Sequence, residues 1–170
     1  RNLARVTALS GDALRLTVRD AVRAYAEYWR ILFRIPGWDL AQVQARVVLH
    51  DIEHVDKALA SGNGVVLAAT HSGYWDLAGI VVADRFGRIL TVAERLEPEA
   101  LFSAFVQHRE SYGIEIVPHR GGSRPPMDVR EERLKSGGVV ALVSDRDLSR
   151  RGIDVDFFGR SARMAAGPAA

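Results

Sequence analysis

Apolar and polar positions fall in blocks along this chain, and the period changes from block to block. Over residues 12–34 the apolar positions Leu14, Val18, Val22, Tyr25, Trp29 and Leu32 recur at intervals of three and four, the amphipathic helical period, and Pro36 stops it. A short stretch, Val47-Val48-Leu49-His50, fits no single period. A helix is expected over residues 52–60, closed by Gly62-Asn63-Gly64. From there the pattern becomes regular. Residues 65–69 read as a buried strand, 77–86 as a helix, 88–92 as a strand, 98–112 as a helix and 114–117 as a strand. The glycine-rich loop 120–124 leads through Pro125-Pro126 into a helix ending near 136–138. Strand 139–143, charged loop 144–151 and strand 155–158 follow. Strands alternating with helices of this length need crossover connections, which predicts an α/β fold: a largely parallel central sheet flanked by helices.

With 170 residues, 48% of them hydrophobic, the chain suits one domain over 1–170 with a substantial core. It opens without methionine and closes on Gly167-Pro168-Ala169-Ala170, which has the form of a helix start, so a piece of a longer protein, cut at both ends, is expected. Cysteine is absent, which removes disulfides, thiolate zinc sites and a thiol nucleophile. No window reaches the ~18 uninterrupted apolar residues of a membrane span, and the first residues lack a signal peptide's apolar core. Lys57 and Lys135 are the only lysines among 23 basic residues, and arginine suits bidentate contact with phosphate. Acidic residues are interspersed almost everywhere, so no nucleic-acid partner is expected. The aromatic second half of the first long helix (Tyr25, Tyr28, Trp29, Phe33), flanked by Arg19, Arg23, Arg30 and Arg34, suits either a bilayer surface or an ordinary core-facing helix.

The candidate chemistry lies where the apolar run 65–69 gives way to Thr70-His71-Ser72-Gly73-Tyr74-Trp75-Asp76 and a second apolar run begins. A strand passing into a helix lifts a histidine out at the carboxyl end of the sheet, where open α/β sheets bind ligands. His71 in the turn and Asp76 in the first helical turn can then meet, the imidazole as general base and the carboxylate as its orienting partner. Taken alone, the string favours a helix-terminus aspartate and an incidental loop histidine, because such strings are common by chance; its place behind a buried-type strand changes the weighing. Tyr74 and Trp75 supply amphipathic aromatics suited to lipid or sugar. A serine hydrolase built on Ser72 lacks the G-x-S-x-G elbow, and Ser72 is expected to cap the helix instead. His50-Asp51-Ile52-Glu53-His54 matches a zinc-protease string, but reads as a polar helix start, and no metal is expected.

His71 to Asp76 resembles the H-x4-D motif of the glycerolipid-type acyltransferases, in the branch of the lipid A biosynthesis lauroyl/myristoyl acyltransferases, and is most similar to its actinobacterial phosphatidylinositol mannoside group. Further blocks match in order: Val92-Ala93-Glu94-Arg95-Leu96, Phe105 to Glu110, Pro118 to Gly122, Ala141 to Leu148 and Val155 to Gly159. The resemblance covers the chain from Asn2 onward. It implies a glycerolipid acyltransferase-like fold and transfer of a long-chain acyl group, from acyl-CoA as donor substrate, to a hydroxyl of an anionic, phosphoinositol-type membrane glycolipid. No bound cofactor is implied. The site would be peripheral, on the cytoplasmic face of the inner membrane.

The same resemblance carries over His71 as base and Asp76 as its partner. Glu94 and Arg109 become substrate-positioning residues, and Asp145 an acidic residue beside the dyad. The mannoside group has glutamate there, so an aspartate reaches one methylene less far. Phosphates of acceptor and coenzyme A would suit Arg120, Arg124, Arg146, Arg150 or Arg151. Two alternatives stay open: a lipid hydrolase or thioesterase using the same dyad on water, and a glycolipid-binding module without chemistry.

Overall fold

The computed structural model describes residues 2–145, 147 and 152–169. Its first helices are α1 (Asn2–Thr7) and the 22-residue α2 (Gly11–Leu32), followed by a 3-10 turn at Ile35–Gly37 where Pro36 breaks the helical ladder. No residue of α2 is buried, and Val18, Val22, Tyr25, Trp29 and Phe33 form an exposed apolar stripe. Its inner side seats Ile31 and Leu32 against the main core. Asp39 starts α3 (Leu40–Gln44) with a capping box closed by Gln42. Residues 47–50 form no regular element, and α4 (Glu53–Ala60) leads through the turn at Gly62 to the sheet.

The predicted alternation follows: β1 (Val65–Ala69), α5 (Trp75–Phe86), β2 (Ile89–Ala93), α6 (Glu99–Glu110), β3 (Ile114–Pro118), α7 (Pro126–Lys135) and β4 (Val139–Val143). The four strands are all parallel, in the order β1-β4-β2-β3, so the fold is the α/β class read from the pattern. Period two along each strand builds two core layers. Ile89, Ile114, Ile116 and Val139 face Leu77, Ile80 and Val81 of α5 and Phe102 of α6, while Leu90, Val117, Val140 and Leu142 face Val129 and Leu134 of α7. Fully buried side chains such as Leu90 and Val140 each contribute about 1.5–3 kcal/mol of hydrophobic stabilisation.

The register opens the sheet at one end. Pairing of β1 with β4 runs through Ala69 and Val143, and that of β2 with β3 through Ala93 and Pro118. Between β2 and β4 it stops at Thr91 and Ala141. The carboxyl edge therefore forks into two prongs, β1/β4 and β2/β3.

After β4, the antiparallel hairpin β5 (Ile153–Asp156) and β6 (Ser161–Met164) forms its own two-stranded sheet. The expected strand over 155–158 is corrected here. Phe157 and Phe158 belong to the turn, because the Asp156 carboxylate accepts from the Gly159 amide and the Phe157 amide bonds the Arg160 carbonyl. The carboxy-terminal residues make a 3-10 turn, Gly167–Ala169, and its Gly167 carbonyl accepts from the buried Arg130 guanidinium. Among the described residues no helix is long and apolar enough to cross a membrane.

Candidate active site

The parallel register of β1 and β4 brings the site together. Ala69 pairs with Val143, and the Ser144 amide extends the ladder by bonding the Ala69 carbonyl. Residues two places beyond each strand end therefore come level, and these are His71 and Asp145. The Asp145 carboxylate accepts from the His71 backbone amide at 3.0 Å and bonds the imidazole Nδ1 at 2.7 Å. Both side chains are about one-third exposed. Partial burial pushes the Asp145 carboxyl up, but the side-chain and backbone hydrogen bonds from His71, with the charge of the ring, outweigh it and leave it below its ordinary value. A carboxylate on Nδ1 fixes the proton there in the neutral ring and leaves the Nε2 lone pair as the basic position. The shorter aspartate thus reaches the ring and the main chain together.

Asp76, the expected partner of that ring, lies elsewhere. It sits in the first turn of α5 and is buried, 6% exposed. One carboxylate oxygen takes the guanidinium of Arg109 through Nη2 and, at 3.2 Å, Nε, while the other accepts from the Tyr28 hydroxyl of α2 at 2.9 Å. Five residues along a strand-to-helix turn carry Asp76 into the first turn of α5 with its carboxylate buried, and a buried carboxylate demands a cation and a donor. Arg109, expected to contact substrate, is likewise buried, 8% exposed, and committed to Asp76. Its guanidinium also lies over the rings of Phe105 at 3.9 Å and Trp75 at 5.0 Å.

Trp75 joins the two groups. Its indole meets the His71 ring edge-on at 5.7 Å and stacks on Tyr28 at 6.3 Å. Burial, reinforced by the Asp76 charge and hydrogen bond, pushes the Tyr28 phenol well up, so it remains a protonated donor. Tyr74, the residue before α5, is 43% exposed at the same turn. Gly73 takes φ +60°, a left-handed conformation that lets the chain double back after His71. Ser72 does not cap α5: its hydroxyl pairs with that of Thr70 at 2.6 Å, and the helix starts three residues later with no side-chain cap.

On the other prong a polar cavity of about 540 Å³ is lined by Glu94, Arg95, Glu97, Glu99, His119 and Arg120 with Leu96 and Pro98. Arg95 is held by Glu99 and the Gly121 carbonyl. Glu94, just past β2, is exposed and lines this cavity. β1 and β2 flank β4, so His71 and Glu94 stand just past the ends of strands two places apart in the sheet. Arg124 pairs with Glu132. Arg146, Arg150 and Arg151 fall outside the described residues. Two features escaped the sequence reading, Asp145 as the direct partner of the ring and Tyr28 as a member of the site. The first had a signal, because both residues stand two places beyond apolar five-residue strands.

Over residues 1–170 the chain matches the family model described as bacterial lipid A biosynthesis acyltransferase. It is 46% identical over 170 residues to a phosphatidylinositol mannoside acyltransferase of Mycolicibacterium smegmatis, covering 99% of this chain and 56% of that protein. It is 45% identical over 172 residues to the protein of the same name in Mycobacterium tuberculosis, covering 99% of this chain and 54% of that one. The chain thus spans about half the length of the curated relatives it matches.

Proposed function

This chain belongs to the bacterial lipid A biosynthesis acyltransferase family, and from that premise we propose that it moves a long-chain fatty acyl group from acyl-CoA to a hydroxyl of a membrane glycolipid such as a phosphatidylinositol mannoside. The observation that carries the reading is the His71–Asp145 pair on one prong of a forked sheet edge, with a polar cavity on the other prong.

Asp145 holds Nδ1, so Nε2 of His71 takes the proton of the acceptor hydroxyl. The alkoxide oxygen attacks the thioester carbonyl carbon, and the carbonyl electron pair moves onto oxygen. Collapse of the tetrahedral intermediate breaks the carbon–sulfur bond, and the leaving thiolate receives the proton from Nε2. A thioester is already activated, so orientation and charge stabilisation suffice without a covalent enzyme intermediate. Tyr74 supplies an exposed aromatic beside the base, and Glu94 and Arg120 supply polar contacts for a polyhydroxylated head group. Asp76 and Arg109 act from below as the buried footing of the turn.

Attachment is peripheral, at the cytoplasmic face of the inner membrane. The exposed stripe of α2 beside Arg19, Arg23 and Arg30 supports peripheral lipid contact, since such a helix lies in a lipid interface with its arginines on head groups.

Incubating the intact protein with labelled palmitoyl-CoA and mannosylated phosphatidylinositol tests the reading. Acylated glycolipid is expected, free fatty acid would mark a hydrolase, and glycolipid retention without turnover would mark a binding module. His71→Ala is expected to lower turnover by about 10²-fold or more, the usual scale of a general base. Unchanged turnover in that variant removes His71 from the role.

A further inference from the structure

Among the described residues the imidazole has one hydrogen bond, from Nδ1 to Asp145, and one such bond leaves a ring able to pivot about its axis. The Trp75 ring stands nearly perpendicular to the imidazole, its centroid 5.7 Å away, where it can oppose that pivot. Trp75 is in turn set by Tyr28, whose ring lies nearly parallel to the indole, at 21° and 6.3 Å, and whose hydroxyl bonds the carboxylate of the next residue, Asp76, at 2.9 Å. Among the described residues this is the one side-chain hydrogen bond joining α2 to the rest of the chain. The helix that makes it has no buried residue and exposes an apolar stripe from Val18 to Phe33.

We infer that Tyr28 is a positioning residue for His71: by stacking on Trp75 and bonding Asp76 it sets the wall against which the imidazole rests, and it makes the aim of the base depend on how α2 is seated. The inference rests on His71 being the base of the proposed transfer. A ring wall that shifts by an ångström misdirects Nε2 without touching substrate, and such a misplacement costs rate rather than ground-state binding. Asp76 and Arg109 cannot replace it. They tie the helix start to α6, whereas among the described residues Tyr28 is the side chain that hydrogen-bonds it to α2.

The test uses Tyr28→Leu, which loses both ring stack and hydroxyl, and Tyr28→Phe, which keeps the stack, in the intact protein. In Tyr28→Leu, kcat is expected to fall about tenfold or more while the KM for palmitoyl-CoA stays within about twofold. Tyr28→Phe is expected to recover part of the loss, and it carries the test if the leucine variant does not fold. An independent readout is the ¹⁵N resonances of the His71 ring, expected to move in Tyr28→Leu. Wild-type kcat together with unmoved His71 resonances in both variants overturns the inference. A protein that acylates no glycolipid but whose His71 resonances respond to Tyr28 loses the proposed activity and keeps the positioning role. One that acylates normally in Tyr28→Leu, with the ring unmoved, does the reverse.

Discussion

At the scale of single residues, two aspartates compete for one histidine, and burial separates them. Asp76 is buried in the first turn of α5, where a lone carboxylate would be costly, and Arg109 and Tyr28 hold it. Asp145 lies at the sheet edge, one-third exposed, and is free to serve the ring. Its carboxyl titrates below the ordinary aspartate value of 3.8 because the His71 hydrogen bonds outweigh burial. The sign follows from linkage. A lowered folded-state value means that the contact stabilises the protein fully above the ordinary value, and that this stabilisation is lost as pH falls through the lower one. Asp145→Asn is therefore expected to melt below the wild type near neutral pH, with the difference in Tm shrinking as the solution is acidified. Thermal melts of both proteins across that range check it, and a constant gap at all pH values would contradict the assignment. The same variant should lose about 10²-fold or more in turnover, since a neutral amide no longer steadies the imidazolium.

At the scale of elements, close backbone approach rather than side-chain chemistry holds the sheet's amino edge. Gly64 precedes β1, and a Cβ there would lie 2.3 Å from the carbonyl oxygen and 2.6 Å from the Cα of Leu134 in α7. Both are main-chain atoms, so α7 or β1 must shift. Gly64→Ala is expected to destabilise the fold by about 1–3 kcal/mol, the usual cost of overpacking, measured by urea denaturation. Gly37→Ala, with open space around its Cβ, serves as the control and should leave stability nearly unchanged. Elements were the most legible part of the sequence. The five-residue runs of β1 and β4 appear at the predicted positions, because a buried parallel strand needs a continuous apolar run. The hairpin was less legible. Its turn carries two phenylalanines, Phe157 and Phe158, and apolar composition points to a strand while the Asp156-to-Gly159 bond makes a turn.

At the scale of the whole molecule, the sheet edge that carries His71 and the outer stripe of α2 are linked through Tyr28. If that stripe seats the enzyme on lipid, the intact protein should sediment with anionic phospholipid vesicles, and added salt should weaken the association by screening the arginines. Replacing Val22 and Phe33, which are 63% and 75% exposed, with glutamate should weaken vesicle binding by about tenfold or more while folding is retained. Equal sedimentation of the variant and the wild type would leave the stripe without that role.

The sequence by itself determined the parallel α/β class, the place of His71 beyond a buried strand and the aromatic and arginine content of α2. Each of these rests on local periodicity or on residues adjacent in the chain. The tertiary structure decided which carboxylate meets His71 and what supports the turn. Asp145 is 74 positions from His71, and Tyr28 is 48 positions from Asp76. Contacts at such separations follow from strand register and helix seating, which depend on how all the layers pack together. The five-residue spacing of His71 and Asp76 suggested a pair, but burial of Asp76 in the first turn of α5, against Arg109 and Tyr28, prevented it and left the ring to Asp145.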